Sequence, residues 1–187
     1  MATANIEISP YLYQFLVDKY GPEPIQFPQN SMFMRHIAEG CTPPPIGSCL
    51  YGWQRKAKAC AASKVLICVQ LPSDVFRCGQ TYEVGYGWHL NYDACRSFRK
   101  TADNMFWGDL LSFLQDYKRQ RIYNNECYTR KSGILEFMSY HGINEAHLET
   151  ICRQDRRRKQ ESNAEAAISK SRQKRNLKDL NGIVNYN

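Results

Sequence analysis

Beyond residue 160 this chain offers almost nothing to bury. Residues 161–180 are good helix formers, yet their only large apolar side chains are Ile168, Leu177 and Leu180, with Ile183 and Val184 following. A helix that is polar all round cannot build a core of its own; it stays solvated or orders on a partner. The core must therefore come from the preceding residues. At 187 residues, 43% hydrophobic, with twelve Tyr, eight Phe and three Trp, the chain suffices for one core and at most a small appended subdomain.

Charge follows the same division. Residues 153–187 hold ten Lys/Arg against four Asp/Glu, a balance of +6, whereas residues 1–152 hold fifteen against fourteen, a balance of +1. A near-neutral body thus carries a basic arm. The arm begins Arg153, Arg156, Arg157, Arg158, Lys159 and resumes at Lys170, Arg172, Lys174, Arg175 and Lys178. Each Lys or Arg placed on a phosphate releases a condensed counterion, so such an arm suits a polyanion.

The N-terminus has no basic stretch followed by an apolar one, so no signal peptide is expected. No apolar run approaches a membrane span, and the longest, residues 65–69, suits a buried strand. These features predict a cytoplasmic protein without a membrane partner, whose eight Cys are reduced thiols. No two Cys stand in a C-x₂-C or C-x₄-C spacing, and most read as small core residues; no metal site or cofactor is expected.

Along the body, residues 4–8 alternate as a short strand with Ile6 and Ile8 on one face. Ser9 and Pro10 read as an N-cap and first-turn proline, opening a helix that runs to Tyr20 and stops at Gly21-Pro22. Residues 24–28 are a short extended piece. Asn30-Ser31 cap a second helix that Gly40 closes, and the proline run at 43–45 forces an extended connection. Residues 64–71 are the strongest strand. Asn91 or Asp93 starts a long helix through about Gln120, with Phe98, Ala102, Met105, Phe106, Asp109, Phe113, Leu114 and Tyr117 as its core stripe. The fold class is α+β, helix-dominated: a small sheet in the N-terminal half, a C-terminal helical hairpin and an extended basic helical tail. The division is 1–128 for the body, 129–159 for the hairpin with its arginine run, and 160–187 for a flexible or partly helical tail.

Residues 132–153 read as two helices joined by a tight turn at His141-Gly142-Ile143-Asn144. Gly supplies the left-handed turn residue, and Phe137, Gly142, Ile143, Leu148 and Ile151 fall at spacings that lock two steeply crossing helices. To this extent the segment resembles bacterial and phage helix-turn-helix regulators, over about twenty residues, with Met138 where a small residue is usual. The opening Ile6-Glu-Ile-Ser-Pro-Tyr-Leu-Tyr-Gln-Phe-Leu and Tyr20-Gly, followed by a basic helical C-terminus, also resembles small proteins of prophages and mobile elements. The resemblance implies DNA binding and transcription regulation in a phage or mobile-element setting. The exposed face of the second helix carries Glu145 and Glu149 beside Ala146, Thr150 and Arg153, and two carboxylates repel phosphates.

Other constellations are weaker. The aromatic stretch Phe76, Tyr82, Tyr86, Trp88 and Tyr92, interleaved with Arg77 and His89, has the composition of a base-stacking platform but few cations. Residues 53–58 form a second basic patch. His141, Glu145 and His147 straddle a turn and lack H-E-x-x-H geometry, and His36 with Glu39 reads as a surface pair. No phosphate-cradling glycine motif or other catalytic signature is present, so the chain is expected not to be an enzyme. The expected nucleic-acid contacts are Thr150, Arg153, Arg156, Arg157, Arg158, Lys159, Lys170, Arg172, Lys174 and Arg175. The expected partner is nucleic acid, DNA ahead of RNA. The alternatives are an assembly protein of a phage-like particle, homo-oligomeric or joined to particle neighbours, and an RNA-binding protein.

Overall fold

A computed structural model describes residues 1–43, 64–85 and 87–184. It divides into two compact units, Met1–Glu145 and Ala146–Asn187. The architecture is α+β and helix-dominated. The expected contributions of residues 44–47, the basic patch 53–58 and Tyr86 lie outside the described residues.

In the first unit, strand β1 (Thr3–Ile8) pairs antiparallel with β3 (Val65–Gln70), Ile6 facing Ile67 and Ile8 facing Val65. The alternation of β1 buries Ile6 and Ile8, as the period-2 pattern requires. On the other side of β3 the Ile25 N–H donates to the Cys68 carbonyl and the Gln70 N–H to the Ile25 carbonyl, both at 2.9 Å, so the piece around Ile25 adds a parallel bridge. The remaining strands do not extend this sheet. Strand β2 (Cys41–Thr42) pairs with β6 (His89–Leu90), and β4 (Asp74–Arg77) forms a hairpin with β5 (Gln80–Glu83). Among the described residues, three two-stranded ladders stand in place of one small sheet. The hairpin turns through Cys78 and Gly79, both at positive φ, the geometry that matches the twist of two short strands.

Helix α1 (Pro10–Tyr20) begins with Pro at its first position, as expected, although the Ser9 side chain makes no capping bond. Helix α2 (Met32–Gly40) is capped by Ser31 Oγ, which accepts from the Met34 N–H at 3.1 Å. Gly40 does not close α2 by a left-handed turn; it is the last helical residue, and the cap, Cys41, is extended. Its reason is space, since a Cβ there would stand 1.9 Å from Ala94 Cβ. Ala94 lies in the first turn of α3 (Tyr92–Tyr123), whose N-cap Asn91 accepts from the Ala94 N–H at 2.8 Å. Helix α3 buries Ala94, Phe98, Ala102, Phe106, Trp107, Leu110 and Leu114. Asp109, expected in that stripe, instead pairs with Lys19 of α1, both half-exposed. Trp107 and Leu110 occupy the buried positions.

The core is aromatic. Phe27 stacks on Phe33 (4.6 Å between centroids) and both rings meet Phe98, while Phe106 meets Tyr11, Phe15 and Phe137. Phe137 comes from α4 (Arg130–Tyr140), which starts with a reciprocal capping box between Thr129 and Ser132. His36, expected at the surface with Glu39, is half-buried and lies 3.0 Å from Thr101 Oγ1, whereas Glu39 takes the Arg35 guanidinium at 2.8 Å.

Helices α3 and α4 end alike. After α4, the Gly142 N–H donates to the Ser139 carbonyl and the Ile143 N–H to the Met138 carbonyl (3.2 and 2.8 Å), with Gly142 at φ +60°. After α3, the Asn125 N–H donates to the Ile122 carbonyl and the Glu126 N–H to the Arg121 carbonyl (3.1 and 2.8 Å), with Asn125 at φ +55°. Both are Schellman ends: a left-handed residue returns two amides to carbonyls the helix would otherwise leave bare. The apolar partner of the motif is present after α4, where Ile143 and Met138 are both buried.

The second unit contains α5 (Leu148–Val184), preceded by a single 3-10 turn, Glu145–His147, that spans the boundary. No helix among the described residues is long and apolar enough to cross a membrane.

The candidate nucleic-acid interface

Helix α5 is unbroken across residue 160, so the arginine run and the later basic cluster stand on one helix. Its 37 residues extend about 55 Å at the usual rise. Ile151 and Asp155 are buried, and they lie one turn apart on one side of the helix. At about 100° per residue, Arg153 falls directly opposite that side, with Arg157 and Thr150 to one flank and Arg156 and Glu149 to the other. All five are exposed, as are Arg158 and Lys159.

These cations differ in how far they are committed within the helix. Arg156 Nε donates to the Cys152 carbonyl at 3.4 Å, a long bond that uses one of the five donors of an exposed guanidinium. Lys159 Nζ stands 3.8 Å from Asp155 Oδ2, an i, i+4 pair whose carboxylate is only 6% exposed. A buried carboxylate needs compensating positive charge, so Lys159 serves the fold before it serves a ligand. Arg158 lies beside the buried side. The candidate phosphate-binding row is therefore Arg153, Arg156 and Arg157.

The later positions can be placed by the period of the helix. Lys174 and Arg175 are each eighteen residues beyond Arg156 and Arg157, five full turns, and so occupy the same azimuth about 27 Å further along. Lys170 and Arg172 fall at other azimuths and do not join this row. Of the face expected to read bases, Glu149 and Thr150 lie on α5 beside Arg153, and Glu145 belongs to the 3-10 turn ahead of it.

The alternative stacking surface is present only in part. Phe76 and Tyr92 are strongly exposed, Tyr82 less so, but the Trp88 ring already carries the Arg77 guanidinium 5.8 Å from its centroid. His141 is taken up in packing: its Nδ1 stands 2.8 Å from Asp18 Oδ2, and its ring meets Phe15, Phe137 and Tyr140. No three His, Cys, Asp or Glu side chains converge on a point suited to a metal ion among the described residues. Cys41 is buried, and burial pushes its thiol up to about 11, against a smaller opposing effect of Arg77. Burial likewise raises Cys95, with Arg99 opposing. Neither is an activated nucleophile.

Missed in the sequence was a further basic cluster of the body, besides residues 53–58. Residues 117–131 hold five Lys/Arg against one Asp/Glu, while the rest of residues 1–152 hold ten against thirteen. The signal was there as a local charge window, hidden by averaging. Compared with protein-family models, curated proteins and solved structures, the chain matches none.

Proposed function

We propose that this chain is a nucleic-acid-binding protein, not an enzyme, that grips duplex DNA through the phosphates with helix α5 in a regulatory or accessory role. The observation that carries the reading is the row Arg153, Arg156 and Arg157, exposed on the side of α5 opposite buried Ile151 and Asp155. Arg suits phosphate because its planar fork donates two parallel bonds. Three phosphate contacts give a slope of log K against log salt of about −2.7 on B-DNA, and adding Lys174 and Arg175 takes it to about −4.5.

The same face limits base reading. Glu149 lies one turn before Arg153 and repels the DNA backbone, and Thr150 is the sole uncharged hydrogen-bonding side chain among the five. Binding is thus dominated by phosphate contacts, which position a protein without reading sequence. The resemblance to helix-turn-helix regulators of phages and mobile elements supports DNA as the partner. The Gly142 turn does not add to it, because a Schellman end accounts for that glycine by itself.

The test is anisotropy titration of a labelled duplex with the full chain and with an R153A/R156A/R157A variant over a range of salt. The expected result is tight, salt-steep binding by the parent and a slope shallower by about 2.7 in the variant. Equal slopes would refute the role of α5.

A further inference from the structure

Besides residues 53–58, one further stretch of the body is locally basic. Residues 117–131 comprise the last two turns of α3, the connection 124–129 and the start of α4, and they carry a balance of +4 on a remainder of −3. In the last turns of α3, Arg121 is occupied: it pairs with Glu126, donates to the Tyr117 hydroxyl at 2.7 Å and lies over the Tyr117 ring. Lys118 and Arg119 are exposed, and Arg119 has only a 3.4 Å pair with Asp116, at 79% side-chain exposure. A pair so solvated holds its cation weakly and yields it to a phosphate.

Beside them stands Tyr123, 89% exposed, an unusual setting for so large a ring. An open cleft of about 410 Å³ is lined, among the described residues, by Arg119, Gln120, Tyr123 and Asn124. The lining holds a guanidinium, an aromatic face and two carboxamides, each carboxamide offering both donor and acceptor. The Schellman end turns amides back onto the Arg121 and Ile122 carbonyls, which blunts the negative end of α3 where an anion would approach.

We propose that this corner is a second nucleic-acid site, built for an unpaired nucleotide. The base stacks on Tyr123, its edge meets Gln120 and Asn124, and its phosphate lies on Arg119 with Lys118 adjacent. Aromatic stacking accepts any base, because every base has a π-face, so the site takes single strands with little sequence preference. The inference rests on the corner's own residues and not on the role of α5.

The test uses the full chain with short single-stranded adenine oligomers, deoxyribo- and ribo-, labelled for anisotropy. Variants are Y123A, Y123F, R119A and, as a separate arm, R153A/R156A/R157A. Losing one stacked base weakens binding about five- to 150-fold, so Y123A should fall in that range while Y123F stays near the parent. R119A should lower the single-strand salt slope by about 0.7. Tyr123 is too exposed for its replacement to unfold the chain, which circular dichroism checks. Single-strand binding unchanged in Y123A overturns the proposal. So does a loss seen only in the α5 variant, an outcome that leaves the α5 reading intact. Displacement by polyglutamate as effective per charge as by the oligomer, and insensitive to Y123A, also overturns it and assigns the corner to acidic protein segments.

Discussion

His141 Nδ1 stands 2.8 Å from Asp18 Oδ2, joining the turn after α4 to helix α1 across 123 residues of sequence. The pair and the ring contribute unequally. Asp18 is 44% exposed, so solvent screens its attraction and Asp18→Asn should cost under about 1 kcal/mol. The imidazole also meets Phe15, Phe137 and Tyr140, and His141→Ala should cost about 2 kcal/mol through lost ring contacts. Urea unfolding of the two variants measures the difference, and equal losses would return the weight to the His141–Asp18 hydrogen bond.

Gly40→Ala should destabilise the fold by about 1–3 kcal/mol, because the new methyl must displace α2 from the first turn of α3. Ala94→Gly introduced in the same chain should recover part of that loss, since Ala94 Cβ is the atom in the way. The two changes are in contact, so a double-mutant cycle should be visibly non-additive.

Gly142→Ala tests a different cost. No atom lies within 4 Å of the added Cβ, so the penalty is conformational alone, at φ +60°. The expected loss is about 1–2 kcal/mol. Gly142→Asn should lose clearly less, because Asn tolerates the left-handed region, and thermal unfolding should rank the three proteins accordingly.

Cys41 should resist alkylation in the folded chain near pH 8, while exposed Cys78 and Cys127 react, as peptide mapping after iodoacetamide would show. Burial raises its thiol from the ordinary 9.0 to about 11, so the fold favours the neutral form. The resulting stabilisation is fully present below pH 9 and is lost as pH rises towards 11. Cys41→Ser should remove the part of the alkaline destabilisation that belongs to this group.

Removing Lys174 and Arg175 should shallow the duplex salt slope by about 1.8, and removing Arg156 and Arg157 should do the same. The clusters are about 27 Å apart along α5, beyond a Debye length of roughly 8 Å at physiological salt, so the two losses should add. Salt titrations of both double variants and the quadruple variant check this.

Local signals were legible wherever one residue or one period decides the outcome. Ser31 and Asn91 cap the helices assigned to them, Pro10 opens α1, and the alternation at Ile6 and Ile8 placed β1 correctly. Long-range choices were not. The strand at residues 65–70 had to find β1 as its partner, and nothing in either sequence says that β2 would pair with β6 and β4 with β5. Gly40 was legible as a helix-ending glycine, but its cause is Ala94, more than fifty residues on. Asp109 fell in the apolar stripe of α3 by spacing, but it is half-exposed and paired with Lys19, which the sequence does not reveal. The arginine run was visible as charge, but which arginines form one row depended on knowing that Ile151 and Asp155 are the buried side. The corner at residues 117–131 escaped because a sum over residues 1–152 cancels a basic patch against an acidic remainder.

An unbroken α5 also makes the chain sensitive to length in a way that composition does not suggest. One residue inserted anywhere between Arg157 and Lys174 turns everything beyond it by about 100° and moves it by about 1.5 Å. A single insertion would therefore swing Lys174 and Arg175 out of line with Arg156 and Arg157 without altering a single charge. Seven inserted residues would nearly restore the alignment while lengthening the gap by about 10 Å. If α5 grips DNA as proposed, substitutions along this stretch should be tolerated, whereas insertions should keep binding only in steps of the helical repeat.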